Sequence, residues 1–342
     1  MYISGQKHQS VFIGLLVILI LAAILNLYSG SIAIPLKDIW NIITSDPTRS
    51  ENYEYILTEY RLPKTITSIV IGFGLGISGL IIQTFFRNPL TGPFVLGISS
   101  GASLGVALLI MGGSLFGSIH HLYSLSTPIA ASLGSFIVLS IVMITARNIR
   151  NTMSILIIGL MFGSFTTAII SVLSYFSSAN ELQQYIFWSL GSLSNLRWTD
   201  VSLLTGIVMI SSVGLLPIIK SLDALLLGEN YARSMGISIK KTQTIVFLIT
   251  SLLTGSITAF VGPIAFIGLA IPHITRLIFK TSTHKILIPA VGIIGAIIML
   301  ICDSLTHISV GSKTLPINAI TSIFGAPIVI WLLVAKSKTT RS

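Results

Sequence analysis

Four hydroxyl side chains, Ser164, Thr167, Ser171 and Ser174, follow one another at spacings of three, four and three. On a helix this gathers them on one face. Such a face can line a watery path for a solute, or its hydroxyls can bond back to their own carbonyls or to a neighbouring helix. Thr250, Thr254 and Thr258 recur every four residues and admit the same two readings, but the longer stripe is the better candidate wall. Other patterns carry less chemistry. Gly311-Ser312-Lys313-Thr314 resembles a fragment of a phosphate loop, without the glycine before lysine or a preceding strand. Gly74-Leu75-Gly76-Ile77-Ser78-Gly79 spells a dinucleotide fingerprint inside an apolar run, where Gly72 and Gly76 read as close helix packing. His120 and His121 are adjacent, so their side chains diverge and make a poor metal pair. The single cysteine, Cys302, excludes an intrachain disulfide or a cysteine metal site and reads as a packing residue. No resident metal, cofactor or catalytic group is expected.

The elements that must position these residues are set by composition. Only 9% of the 342 residues are charged and 53% are hydrophobic. Mean hydropathy is +0.93. A soluble fold of this length could not bury so much apolar surface. The chain therefore reads as an all-α polytopic membrane protein forming a single domain over 1–342, with the lipid bilayer as its solvent. The net charge of +10 does not indicate nucleic acid, because the basic residues sit between apolar runs.

Spans of about 20 apolar residues are needed to cross a bilayer. Ten are expected, at 11–29, 64–86, 93–112, 127–147, 152–176, 200–219, 242–259, 262–279, 286–302 and 316–335. The first is read as a helix rather than a cleaved signal, because no small-residue cleavage site follows it. An even number puts both termini on one side. With these in the cytoplasm, fourteen of the 20 lysines and arginines lie inside. Lys37, Arg49, Arg61, Lys64, Arg197 and Lys313 lie outside, which satisfies the positive-inside rule. No charge falls mid-span, and Asp303 sits at a span end. That disfavours a proton-coupled carrier and points to an energy source outside the chain, although carbonyls and hydroxyls alone can hold sodium. A weak internal echo supports a transporter: Gly92-Pro93 leads to Leu96-Gly97-Ile98, and Gly262-Pro263 leads to Ile267-Gly268-Leu269.

Six strings then occur in order. They are Arg61-Leu62-Pro63-Lys64; Asn88-Pro89-Leu90 with Leu96 to Ala102; Leu227-Gly228-Glu229 with Ala232 and Gly236; Phe266 to His273 with Arg276; Leu315-Pro316-Ile317; and Gly325-Ala326-Pro327. From about residue 11 to the end, the chain resembles the permease family of ABC importers for iron chelates and vitamin B12. The resemblance implies the type II importer permease fold, in which one half pairs with a second half, the same chain or a homologous one. It also implies two ABC ATPase subunits beneath and an extracytoplasmic binding protein that delivers the chelate. Hydrolysis then belongs to the partners, so this chain is a transport subunit and not an enzyme.

By the same resemblance, Leu227, Gly228, Glu229, Ala232 and Gly236 in the loop at about 220–241 couple to the ATPases. From the residues alone, 223–236 reads as one short helix, with Leu225, Leu226, Gly228, Ala232 and Met235 on one face. Arg61, Lys64 and His307 match positions that dock the binding protein. His307 stands where the family often carries arginine, which implies a weaker or a pH-sensitive contact. Thr314 and Asn318 depart from the family's glutamate and glycine. Asn151 and Thr152 match the cytoplasmic gate, and Asn is also a preferred helix cap. The expected cargo is a ferric siderophore, with vitamin B12 or haem as alternatives, crossing by alternating access. An ion-coupled secondary carrier and a structural membrane protein without a pathway are the rival classes.

Overall fold

The computed structural model describes residues 5–30, 32, 34–44, 50–112, 123–146, 149, 152–194, 196–307 and 314–339. The described residues form helices and no strands. In chain order these are α1 (Gly5–Tyr28), α2 (Leu36–Ile43), α3 (Glu51–Ile56), α4 (Leu62–Phe85), α5 (Ile98–Met111), α6 (Tyr123–Ala146), α7 (Thr152–Phe176) and α8 (Ala179–Ser189). They continue as α9 (Trp198–Val213), α10 (Ile219–Leu226), α11 (Glu229–Ser234), α12 (Ile239–Val261), α13 (Ile267–Phe279), α14 (His284–Thr306) and α15 (Ile317–Thr339). A π-type turn, Leu57–Arg61, joins α3 to α4 without a break.

Each of the ten expected spans contains a helix. Among the described residues, seven helices are long and apolar enough to cross a bilayer, and Ile98–Met111, Ile267–Phe279 and Ile317–Trp331 are shorter apolar helices. The expected spans 93–112 and 262–279 begin too early, and the backbone explains why. Gly97 sits at φ 72° between a 3-10 turn, Pro93–Leu96, and α5. Gly262 at φ 80° ends α12, and Phe266 at φ 65° precedes α13. These left-handed residues end one helical path and start another. The two segments of the internal echo are these two breaks, and they touch: a Cβ on Gly268 would stand 2.9 Å from Pro93 Cδ.

The second span forms the spine of the molecule. Every residue of the stretch from Ile71 to Phe86 is buried except Phe73. Lipid is as apolar as leucine, so helices in a bilayer associate through close packing of small residues. Here a Cβ on Gly72 would collide with the Gly295 carbonyl of α14, and one on Gly79 with the Gly268 carbonyl of α13. Gly76 packs against Val291. The apparent dinucleotide fingerprint is thus a packing face. A parallel contact joins α5 to α6, where Gly101 and Gly134 each face the other's carbonyl. Hydroxyls buried on α4 bond back along the helix, Thr67 to Pro63 O at 2.7 Å and Ser78 to Leu75 O at 2.9 Å.

Gly72→Leu is expected to cost at least the usual overpacking penalty of about 1–3 kcal/mol and to lower the thermal midpoint of the purified protein. Gly14→Leu, where an added Cβ meets nothing within 4 Å, is the control and leaves the midpoint in place. Equal midpoints for the two variants would contradict the packing account.

Candidate functional site

The hydroxyl stripe lies on α7, and the chain leaves most of it uncovered. Ser164, Thr167 and Ser171 are exposed and Ser174 is half-buried. They border a wider exposed apolar face that includes Met161, Phe165 and Val172. The opposite face is pinned to the first helix break, since a Cβ on Gly159 would collide with the Val95 carbonyl. The hydroxyls bond back to their own helix, as one of the two sequence readings expects, while remaining at the surface of this chain. Thr167 donates to Gly163 O at 2.8 Å, Ser171 to Thr167 O at 3.0 Å and Ser174 to Ile170 O at 2.8 Å. Ser164 donates to Leu160 O at 3.3 Å. A hydroxyl has one hydrogen and two lone pairs. With the hydrogen engaged by the backbone, the surface presents acceptors only.

The second stripe differs. Thr250, Thr254 and Thr258 are buried. Thr258 contacts Ser99 at 3.3 Å, while the hydroxyls of Thr250 and Thr254 have no partner among the described residues. This stripe packs into the protein rather than lining a path. Of the two residues expected at a gate, Asn151 lies outside the described residues and Thr152 is the first residue of α7. His120, His121 and Lys313 also lie outside them.

The loop at 220–241 is two short helices, α10 and α11, rather than the one expected over 223–236. Gly228 breaks them at φ 116°, ψ 153°, a conformation that only glycine adopts readily. Gly236 at φ 79° ends the second. The elbow also splits the expected face. Leu225 and Ala232 point inward, whereas Leu226, Leu227, Tyr231 and Met235 point outward. Leu227 is 67% exposed and Met235 60%. Tyr231 escaped the sequence reading because the face was drawn on a single helix. Glu229 opens α11, where its carboxylate suits the helix dipole, and lies 3.8 Å from Arg233. The Arg87 guanidinium, after α4, lies 3.3 Å from where a Cβ on Gly228 would stand.

Arg61, Lys64 and His307 come together at the other end of the bundle. They border one cavity of about 200 Å³ with Asn26 and Ser194. Each is engaged by the chain itself. Arg61 is 7% exposed, and its guanidinium donates to Leu27 O at 2.6 Å, to Tyr28 O at 3.1 Å and to Ile32 O. Gly30 is needed there, because a Cβ would stand 2.8 Å from Arg61 Cζ. Lys64 Nζ is 3.0 Å from Asp303 Oδ1 and 2.5 Å from His307 Nε2. An ammonium has no lone pair, so His307 accepts through Nε2 and carries its hydrogen on Nδ1. That nitrogen is buried without a partner among the described residues. Burial, and then the Lys64 charge, hold His307 below the ordinary histidine range. Asn26 completes the network: its amide donates to Asp303 Oδ2 at 2.9 Å and accepts from Thr65 at 2.7 Å. Sequence reasoning missed Asn26, although an amide in an apolar helix was the available signal.

Asn318 also has a structural role. Its side chain accepts from Ala265 N at 3.1 Å, and its backbone N donates to Leu190 O at 3.3 Å. It satisfies the broken backbone that precedes α13. His273 Nε2 meets Pro89 O at 3.0 Å, which ties that helix to the loop after α4. Among the described residues, no group of His, Cys, Asp and Glu could hold a metal ion.

A model of the FecCD transport family matches residues 17–335. The hemin transport system permease HmuU of Yersinia pestis is 30% identical, over 96% of this chain and 97% of its own. The vitamin B12 import permease BtuC of Photorhabdus laumondii is 33% identical, over 96% and 94%. A solved ABC transporter described as metal-chelate type, in an inward-facing conformation, superposes with a TM-score of 0.81 at 28% identity, covering 96% of this chain and 99% of its own. The two broken short helices, the glycine-packed spine and the hydroxyl-lined α7 are therefore parts of an ABC importer permease, and the chain belongs to the FecCD transport family.

Proposed function

We propose that the chain is one half of a permease that carries a large metal chelate into the cytoplasm. A second half, two ATPases and an extracytoplasmic binding protein complete the importer. The observation that carries this reading is the outward apolar patch of Leu226, Leu227, Tyr231 and Met235 on α10 and α11. It belongs to a segment of Lys220, Arg233, Lys240 and Lys241, whose charge suits the cytoplasmic side. Apolar side chains beyond the bilayer favour a protein partner, and the ATPase fits. Both termini are then cytoplasmic.

The uncovered face of α7 suits a path shared with the second half. Acceptor-only hydroxyls bind a chelate weakly, so selectivity falls to the binding protein. The wall does not choose among ferric siderophore, haem and cobalamin; the relatives reported are named for hemin and vitamin B12. Asn151 and Thr152, at the start of α7, suit the inner gate. At the outer end, Arg61, Lys64 and His307 suit docking through the shape of the corner that they hold, with their charge as a long-range attraction.

Co-expression with the neighbouring genes is expected to yield an ATPase pair bound to this chain. Leu227→Asp is expected to weaken that hold about 30-fold, the scale of a 2 kcal/mol hot spot. Glu229→Arg leaves the complex inserted and lowers hydrolysis coupled to transport. Undiminished ATPase recovery with Leu227→Asp would count against the patch as the contact. For the outer end, Arg61→Lys keeps the charge and loses the fork. It is expected to weaken capture of the binding protein nearly as much as Arg61→Glu. Capture equal to the unsubstituted protein would show that charge, not corner shape, sets docking.

His307 gives a pH dependence with a definite sign. Its folded value is lowered from the ordinary 6.5, so the unfolded chain binds more protons in the window just below. Stability from keeping His307 buried and neutral beside Lys64 is full above that ordinary value and declines as pH falls through the lowered one. The thermal midpoint is expected to drop on acidification below about 6.5. His307→Gln, which cannot titrate, is expected to flatten that drop, and parallel curves would refute the assignment.

A further inference from the structure

The inner ends of α4 and α14 are joined to α10 through three side chains that the transport reading has not used. Asp223 lies on α10, the limb just before the Gly228 elbow. Its Oδ1 accepts from the backbone N of His284 at 2.9 Å and lies 2.6 Å from His284 Nδ1. His284 opens α14, and its side chain is fully buried. Its Nε2 is 2.8 Å from Thr84 Oγ1, in the last turn of α4. Thr84 Oγ1 is also 2.9 Å from Leu80 O. A neutral imidazole donates from Nδ1 and accepts the Thr84 hydrogen at Nε2. A protonated one donates from both nitrogens, and Thr84 turns its hydrogen to Leu80 O. The three-residue link therefore survives either protonation state.

The same two helices are clasped elsewhere along their length. Gly72 and Gly295 meet near the middle, and Lys64 bonds Asp303 at the outer end. Packed interiors transmit displacement rather than absorb it. A helix pair held at both ends and at its centre moves as one body. Its outer end carries Leu315, whose N donates to Thr306 O at 2.9 Å, beside the cavity lined by Lys64, Asp303 and His307.

We propose that Asp223, His284 and Thr84 are positioning residues that transmit movement of α10 to the α4–α14 pair, and through it to the outer corner. This rests on the reading of α10 and α11 as the ATPase contact. Asp223 is half-exposed at the water edge, while Leu222 and Leu225 on either side of it are buried. The carboxylate thus reaches the α14 N-terminus from a limb that is itself anchored. It also sits at the positive end of the α14 dipole, which strengthens its hold.

The test uses the assembled complex in nanodiscs, with Leu315→Cys in a Cys302→Ala background as a reporter labelled by a membrane-impermeant maleimide. The labelling rate is compared between the nucleotide-free complex and the complex trapped with ATP and vanadate. We expect trapping to change the rate about tenfold, within the 5–150-fold range of coupling between sites. Asp223→Ala should abolish that change while recovering the same amount of bound ATPase. Asp223→Asn, which keeps an acceptor for the His284 N–H groups, should restore most of it. Adding His284→Ala to Asp223→Ala should have no further effect, because one link is already broken. A trapping response retained in Asp223→Ala, or absent from the unsubstituted complex, would overturn the proposal. So would failure of the Asp223→Asn rescue when assembly is intact. Recovery of the unsubstituted chain without any ATPase would instead overturn the reading of α10 and α11 on which the link depends.

Discussion

Close approach of backbones along α4 is the constraint on which the rest of this molecule depends. Hydrocarbon offers no hydrophobic drive between helices, so their association relies on packing, which small residues make close. Gly72 and Gly79 supply them, facing the Gly295 and Gly268 carbonyls. From this spine follow the burial of nearly every residue from Ile71 to Phe86 and the seating of α13 after its break. The clasping of α14 along its length follows as well. Polar groups then gather at the two ends of the spine, Lys64 with Asp303 at one and Thr84 with His284 at the other.

The same constraint leaves one face of α7 open. α7 is held by Gly159 against the first helix break and leaves its hydroxyl stripe uncovered. The stripe's hydrogens go to its own carbonyls, so its surface offers lone pairs but no fixed donors. Tight binding in the pathway would slow release.

Much of this was legible in the sequence because the bilayer imposes long apolar runs. All ten segments are helical, and the small-residue spine was visible at Gly72 and Gly76. Less legible were features set by single backbone angles. The breaks at Gly97, Phe266 and Gly228 depend on positive φ, which a non-glycine such as Phe266 does not announce. The Gly228 elbow divided what had read as one helical face and brought Tyr231 outward. The threonine stripe on α12 matched the hydroxyl pattern of α7 but is buried, because periodicity tells which residues share a face and not what covers it. Partnerships between distant positions were the least visible. Asn26 with Asp303, and Asp223 with His284, are separated by 277 and 61 positions.

In the proposed function, movement of the cargo is driven by ATP on partner subunits and not by an ion gradient through this chain. Uptake of chelate into proteoliposomes holding the complete complex tests this most directly, with ATP enclosed and loaded binding protein outside. The account predicts uptake that requires both ATP and the binding protein and that an ionophore leaves unchanged. Uptake without ATP that collapses when the ionophore is added would contradict it.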